Sequence, residues 1–221
     1  MEKPTSKGDS MTAFIKSPNF KPKEKLLEIA FANKQAILLS GPTGCGKTTY
    51  VHDLCASNKK EIVEILGFEG MSVQDLIGHY VIQQECTVFK KGPLLKAAEE
   101  GTVFYFDEID TVLPEVRRLL FSLLDHRRAL YNYASGEMIK AHANFQFISS
   151  YNPSINLGSK IDGAFVQRCL CIDVDYLESF AESKLLQDVS GVGSVTANKL
   201  VDIANELRNS SELRITPPST R

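Results

Sequence analysis

The chain has 221 residues, enough for one α/β domain with part of a second. Its 25 Lys and Arg against 27 Asp and Glu give a net charge of −2, which argues against a nucleic-acid partner, although a local basic pore is compatible with it. No stretch approaches the roughly 18 consecutive apolar residues of a membrane helix, so nothing in the sequence is predicted to span a bilayer.

The first predicted segment, residues 1–13, is polar and lacks the apolar stretch of a secretory signal, so we expect a disordered leader. Beyond it, strand-like apolar runs alternate with helical spacing. The predicted strands are Ala36–Ser40, Glu61–Leu66, Gly101–Glu108, Phe145–Ser150 and Leu170–Val174. The predicted helices are Lys25–Asn33, Lys47–Ala56, a short helix opened by Ser72, a helix after Pro93, and Pro114–His126. This alternation predicts a parallel sheet covered on both faces, with its ligand at the carboxyl ends of the strands.

Two predicted β-hairpins, Tyr80–Phe89 and Leu130–Ala141, interrupt the alternation. After Tyr176 the strand signals stop, and Ala181–Val189 and Val195–Arg208 have helical spacing. The predicted fold is therefore an α/β sheet flanked by helices with β-hairpin insertions, followed by a small helical domain. The predicted segments are a leader at residues 1–13, an α/β domain at residues 14–175 and a helical domain at residues 176–221.

The five cysteines are odd in number, and none forms a Cys-x-x-Cys pair with a matching second pair or a His pair. They predict free thiols in a reducing cytoplasm. Cys169 and Cys171 alternate on a predicted strand, so both side chains should face the same way, as buried small hydrophobes rather than metal ligands.

A phosphate-binding loop lies between the first predicted strand and its helix. It matches Gly-x-x-x-x-Gly-Lys-Thr in full and in the required context. Its backbone N–H groups and Lys47 would contact the phosphates of a nucleotide, and the Thr48 hydroxyl would ligate Mg²⁺. The predicted nucleotide-binding residues are Gly41, Pro42, Thr43, Gly44, Cys45, Gly46, Lys47, Thr48 and Thr49.

Two acids end the third predicted strand. Nucleotide hydrolysis needs an acid near the metal and a group that activates water. Asp107 would hold the hydrated Mg²⁺, and Glu108 would point the other way and polarise the attacking water. With the loop they predict a Mg²⁺-dependent ATPase. The alternative is a pair of solvent-facing acids that close a strand.

Two further polar residues belong to the predicted site. Asn152 would position the water, between the γ-phosphate and Glu108, if the fourth strand neighbours the first and third. Arg168 precedes the fifth strand at the sheet edge, away from its own bound phosphate, and could reach the phosphate of a neighbouring subunit. The alternative for Arg168 is a surface salt bridge.

The order of these motifs resembles the MoxR branch of AAA+ ATPases, and within it the CbbQ/NirQ/NorQ/GvpN group. The local matches are Asp75–Tyr80, Gly92–Ala97, Asp125–Arg128, Gly136–Glu137, Lys140–His142, Phe145–Pro153 and Pro218–Arg221. The chain departs from the pattern of the group at Val166, where relatives often carry arginine, and at Cys169, where phenylalanine is usual. One arginine, Arg168, therefore remains as a finger candidate.

The resemblance implies a hexameric ring with ATP at the subunit interfaces, Asn152 as sensor 1, Arg168 as a trans-acting finger and Arg221 as sensor 2. It also implies a chaperone that remodels or activates a protein client together with a partner that carries a von Willebrand factor A domain. In the family, Arg221 opens a helix that continues the lid, so we expect the helical lid of this chain to be truncated.

Other functions stay open at this point. The chain could be a non-hydrolysing nucleotide switch or scaffold, a nucleic-acid motor or restriction-type GTPase of a related branch, or a small-molecule kinase. The loop does not reveal a preference for ATP over GTP. The first hairpin, with Lys90 and Lys91, would either face a client or cover a sheet edge.

Overall fold

The computed structural model describes residues 21–153 and 161–209. The strands are β1 (Ile37–Ser40), β2 (Ile62–Leu66), β3 (Gly78–Gln83), β4 (Cys86–Lys91), β5 (Val103–Asp107), β6 (Ala129–Asn132), β7 (Glu137–Lys140), β8 (Gln146–Tyr151) and β9 (Leu170–Asp173). The helices are α1 (Lys21–Ala32), α2 (Lys47–Ser57), α3 (Val73–Ile77), α4 (Pro93–Glu100), α5 (Pro114–Leu119), α6 (Phe121–Leu124), α7 (Gly163–Val166), α8 (Ser179–Ser190) and α9 (Ser194–Asn209). A 3₁₀ turn, Ile109–Thr111, follows β5.

The central sheet is parallel and five-stranded, in the order β2-β5-β8-β1-β9. The predicted parallel sheet with helices on its faces is therefore confirmed. Strand β8 lies between β5 and β1, which is the condition under which Asn152 was expected to join the site. Because all five strands run the same way, the ends of β1, β5 and β8 meet at one edge of the sheet.

Side chains of the inner strands alternate between two apolar clusters, one on each face of the sheet. On β5, Phe104 and Phe106 belong to one cluster, while Val103 and Tyr105 belong to the other. The Phe104 ring stacks on Phe147 of β8, with the ring centres 6.2 Å apart. These strands are buried on both faces, which explains why they read as continuous apolar runs rather than as alternating ones.

The two hairpins form separate two-stranded sheets, β3 with β4 and β6 with β7. The first is longer than predicted, because pairing starts at Gly78 with Lys91, directly after α3. Helix α3 begins with the expected cap: the Asp75 N–H donates to Ser72 Oγ, and the Ser72 N–H donates back to the Asp75 carboxylate. The Tyr80 hydroxyl donates to the Ala134 carbonyl at 3.4 Å, which joins the two hairpins.

The single helix predicted from Pro114 to His126 is wrong, since the structure has two short helices there. At Leu120 the hydrogen bonds tighten to three-residue spacing, and the Leu120 N–H donates to the Arg117 carbonyl. The second helix ends before Asp125, where the backbone becomes extended and the carboxylate accepts hydrogen bonds from Arg127. The amphipathic pattern shows which side chains are buried, but it does not show this change of helix geometry.

The prediction that both Cys169 and Cys171 are buried is wrong for Cys171, which is exposed. Strand β9 is an edge strand, and within it Ile172 is the buried residue while the opposite face is open. Cys169 lies just before the strand and is partly buried, and this burial raises the pKa of its thiol to about 12. All five cysteines are free thiols, as predicted.

The two helices predicted after Tyr176 are present as α8 and α9. They are joined by a buried ion pair between Glu182 and Arg208, at 2.7 Å. The predicted leader and Arg221 lie outside the described residues. Among the described helices, none is both long and apolar enough to cross a membrane.

Candidate functional site

A cleft opens at the carboxyl ends of β1, β5 and β8. Most of the predicted site residues line it, together with Leu185 of α8. The lining residues are Thr43, Gly44, Cys45, Gly46, Lys47, Thr48, Thr49, Asp107, Glu108, Ser150, Tyr151, Asn152 and Leu185. The sequence motifs, which are separated by up to about a hundred residues, thus converge on one space.

The loop between β1 and α2 takes its shape from glycine. Gly46 caps α2 with a φ of 96°, a left-handed conformation that side chains other than glycine rarely adopt. A Cβ at Gly41 would collide with the Val174 carbonyl oxygen and approach the Cys45 sulfur to 3.1 Å. The glycines therefore let the backbone pass close to its neighbours and direct the start of α2 at the cleft.

The Lys47 ammonium folds back over the loop. It donates to the carbonyl oxygens of Gly41 at 2.7 Å and Pro42 at 2.9 Å. Cys45 beside it is buried, and this burial raises the pKa of the thiol, while the nearby Lys47 opposes the shift. The loop thus places the Lys47 ammonium next to the N-terminus of α2. Both the ammonium and the helix N-terminus favour binding of an anion there.

The Asp107 carboxylate is the centre of a hydroxyl cluster. Its Oδ2 accepts from Thr48 Oγ1 at 3.1 Å. Its Oδ1 accepts from the Tyr105 hydroxyl at 2.9 Å and from Ser150 Oγ. The two predicted metal ligands, Thr48 and Asp107, are therefore in direct contact.

Glu108 follows Asp107 and is exposed at the cleft. Its φ is 53°, in the left-handed region that costs a residue other than glycine about 1 kcal/mol or more. Its N–H donates to Asp107 Oδ1 at 3.2 Å. The unusual backbone takes Glu108 out of the alternation of β5, so that both acids line the same cleft.

Asn152 lies one residue beyond β8 and is buried. Its Nδ2 donates to Thr43 Oγ1 at 2.8 Å, and the carbonyl of the preceding Tyr151 accepts from the Gly41 N–H at 3.3 Å. The end of β8 is thereby joined to the phosphate loop.

Arg168 lies outside the cleft. Its Nη1 donates to the Ala164 carbonyl at 2.5 Å, and its guanidinium lies 4.5 Å from the centre of the Phe121 ring. Within residues 21–153 and 161–209 it forms no ion pair, so the surface salt bridge is not supported there. The structure therefore does not bring Arg168 to the cleft of its own chain.

Three groups at the cleft or beside it were missed by the sequence reasoning. Tyr105 lies within the predicted strand Gly101–Glu108 and its ring is buried, but its hydroxyl contacts Asp107. Ser150 was assigned only to a strand. The Tyr176 hydroxyl donates to the Thr43 carbonyl at 3.2 Å. Tyr105 alone had a local signal, because a residue two positions before Asp107 on a strand projects to the same side.

Comparison with known proteins places this geometry in a family. The model of the AAA domain, dynein-related subfamily, matches residues 36–169. CbbQ of Hydrogenophilus thermoluteolus is 35% identical over 82% of this chain and 68% of its own length. NorQ of Paracoccus denitrificans is 33% identical over 83% of this chain and 68% of its own length. NirQ of Pseudomonas aeruginosa, a denitrification regulatory protein, is 30% identical over 83% of this chain and 71% of its own length.

Solved structures share the fold at lower identity. A candidate ATPase from Cytophaga hutchinsonii superposes with a TM-score of 0.63 at 19% identity, over 90% of this chain and 62% of its own. NtrX of Brucella abortus, solved in complex with ADP, superposes with a TM-score of 0.57 at 14% identity, over 92% of this chain and 53% of its own. The chain thus spans 62% and 53% of these two larger proteins. By family model, relatives and fold, it belongs to the AAA domain family, dynein-related subfamily, in the MoxR-type group of AAA+ proteins that includes CbbQ, NorQ and NirQ.

Proposed function

We propose that the chain binds and hydrolyses ATP with Mg²⁺ in this cleft, as one subunit of a homo-oligomeric ring that remodels or activates a protein client. The observation that carries the proposal is the convergence of Lys47, the Thr48–Asp107 pair, Glu108 and Asn152 on one cleft. Each supplies a different part of phosphoryl transfer to water.

Nucleotide binding would use the loop and Lys47. The N-terminus of α2 and the loop N–H groups favour an anion at the cleft. The Lys47 ammonium, now on the carbonyls of Gly41 and Pro42, is placed to exchange these acceptors for phosphate oxygens. Each new contact would pair the ammonium with a negatively charged oxygen, which is a stronger acceptor than a neutral carbonyl.

Thr48 and Asp107 fit a magnesium site. Their Oγ1 and Oδ2 atoms lie 3.1 Å apart, close to the ~3 Å between neighbouring octahedral ligands at Mg–O distances of about 2.1 Å. Among the described residues, no cluster of three or more His, Cys, Asp or Glu side chains could hold a metal ion. Phosphate oxygens of the nucleotide would therefore supply further ligands to the magnesium. Mg²⁺, when bound, would neutralise charge that develops on the phosphates.

Glu108 would accept the proton of the attacking water, and Asn152 would orient that water. Glu108 is exposed at the cleft, and Asn152 is fixed by its bond to Thr43. Such a base contributes on the order of 10²–10⁴ in rate. Arg168, outside its own cleft, would act on the nucleotide of the neighbouring subunit.

Kinship to the CbbQ, NorQ and NirQ group supports the rest of the proposal. From it we propose a hexameric ring, a partner carrying a von Willebrand factor A domain, and Arg221 as a further nucleotide contact. The free thiols of all five cysteines fit a reducing cytoplasm.

The test is ATP turnover by the wild type and by Glu108→Gln. We expect turnover of the variant to fall by about 10²–10⁴, while ADP affinity stays at the wild-type value. Glu115→Gln is the matched control, since this exposed carboxylate on α5 lies outside the cleft. Equal rates for wild type and Glu108→Gln would exclude a role for Glu108 in hydrolysis and would favour the alternative of a nucleotide switch.

A further inference from the structure

The Tyr105 hydroxyl lies beside the cleft, in contact with both proposed metal ligands. It is 2.9 Å from Asp107 Oδ1 and 3.3 Å from Thr48 Oγ1. The side chain of Tyr105 is fully buried. Phosphoryl transfer as proposed above gives this phenol no part in the chemistry.

The ring of Tyr105 packs among apolar side chains. It belongs to the apolar cluster between the sheet and its helices, with Tyr50, Val51 and Ile148 among its members. A buried hydroxyl requires a hydrogen-bond partner, and here the partner is a carboxylate. An ionised carboxylate can only accept hydrogen bonds, so the Tyr105 hydroxyl is the donor.

The two oxygens of Asp107 therefore have different surroundings. Oδ1 accepts the hydroxyls of Tyr105 and Ser150 and the Glu108 N–H at 3.2 Å. Oδ2 accepts only Thr48 Oγ1 among the hydrogen bonds of the described residues. One side of the carboxylate is thus fixed by protein groups, and the other is turned to the ligand that would share its metal.

We propose that Tyr105 is a positioning residue for magnesium. Its hydroxyl, with that of Ser150, holds Oδ1 so that Oδ2 and Thr48 Oγ1 form a preformed pair of oxygens at the phosphate loop. This inference rests on the proposed function, because it assigns the same pair of ligands. Groups that orient metal ligands typically change metal affinity by about 10–100-fold when they are removed.

The test uses nucleotide binding, not turnover. The affinity of a fluorescent ADP analogue is measured over a range of free Mg²⁺ and in EDTA. For Tyr105→Phe we expect Mg²⁺ to bind about tenfold more weakly, so that about tenfold more free Mg²⁺ is needed for its effect on the affinity of the ADP analogue. The affinity in EDTA should be unchanged. Tyr50→Phe is the matched control: it also removes one buried phenol hydroxyl from the same apolar cluster, but outside the cleft, and it should behave as wild type.

The outcomes separate the two proposals. If wild-type ADP binding does not respond to Mg²⁺, the proposed function fails. If the wild type responds and Tyr105→Phe matches it, or if both Phe variants shift equally, the positioning role is overturned. Should Tyr105→Phe not fold, Ser150→Ala is decisive, because it removes the second hydroxyl on Oδ1: weaker Mg²⁺ dependence supports the proposal and unchanged dependence overturns it.

Discussion

The Tyr176 hydroxyl donates a 3.2 Å hydrogen bond to the Thr43 carbonyl oxygen, which joins the segment between β9 and α8 to the phosphate loop. The face of the Tyr176 ring lies 3.9 Å from the Arg208 guanidinium, and Arg208 is paired with Glu182. Thr43 also accepts from Asn152. A continuous series of contacts therefore runs from α8 and α9 to the end of β8.

Tyr176→Phe keeps the ring on Arg208 and removes the bond to Thr43. We expect the free energy of unfolding to fall by about 1 kcal/mol and hydrogen exchange of the loop amides at residues 43–46 to accelerate. Hydrogen exchange with mass spectrometry measures the second effect. Tyr133→Phe, an exposed hairpin tyrosine, is the control and should leave the loop unchanged; unaltered loop exchange in Tyr176→Phe would contradict the coupling.

Glu182→Gln tests the buried ion pair between α8 and α9. The side chains of Arg208 and Glu182 are 6% and 4% exposed, so loss of the carboxylate leaves a buried charge without its counterion. We expect a loss of about 3 kcal/mol, the lower end for a broken buried pair because the amide oxygen still accepts a hydrogen bond. Urea unfolding measures it.

The control for that experiment is Glu99→Gln, which breaks the ion pair with Lys91. Those side chains are 32% and 48% exposed, and such pairs contribute about 1 kcal/mol or less. If the free energy of unfolding falls equally in both variants, the buried pair between α8 and α9 stabilises the fold no more than the exposed pair does.

Arg168→Ala tests action across a subunit interface. Because Arg168 lies outside its own cleft, we expect ADP affinity to be retained while ATP turnover falls by about 10³–10⁵. Mixing this variant with Glu108→Gln provides the sharper measurement. An intact Glu108 site of one subunit would then meet an intact Arg168 of the other, so turnover should partly return.

Complementation of this kind has a clear contrary result. If mixed Arg168→Ala and Glu108→Gln proteins remain as inactive as either alone, although they form oligomers together, Arg168 does not act in trans. Retained turnover by Arg168→Ala alone would remove the finger role altogether.

The positions of Lys47, Asp107 and Asn152 could be predicted because each follows a strand whose apolar run is visible locally. In a parallel sheet, the ends of those strands share an edge, so the motifs had to meet if β8 lay between β5 and β1. Local sequence does not fix that strand order. The predicted position of Asn152 was therefore conditional on this order.

The contacts that could not be predicted depend on distant partners or on small backbone changes. Tyr176 and Thr43 are 133 positions apart, and no pattern pairs them. The hydroxyl of Ser150 reaches Asp107 from a neighbouring strand, so its role depends on register. Cys171 is exposed because β9 is an edge strand, which alternation along one strand does not reveal.

The two carbonyl contacts of Lys47 have a consequence for which anions the loop admits. With Gly41 and Pro42 as acceptors, the ammonium already has partners before any ligand arrives. A monovalent anion such as chloride must compete with both carbonyls for the ammonium, and it provides only one diffuse contact. A polyphosphate offers several oxygens to the ammonium and the loop N–H groups together, so the resting position of the lysine favours ligands by the number of acceptors they bring.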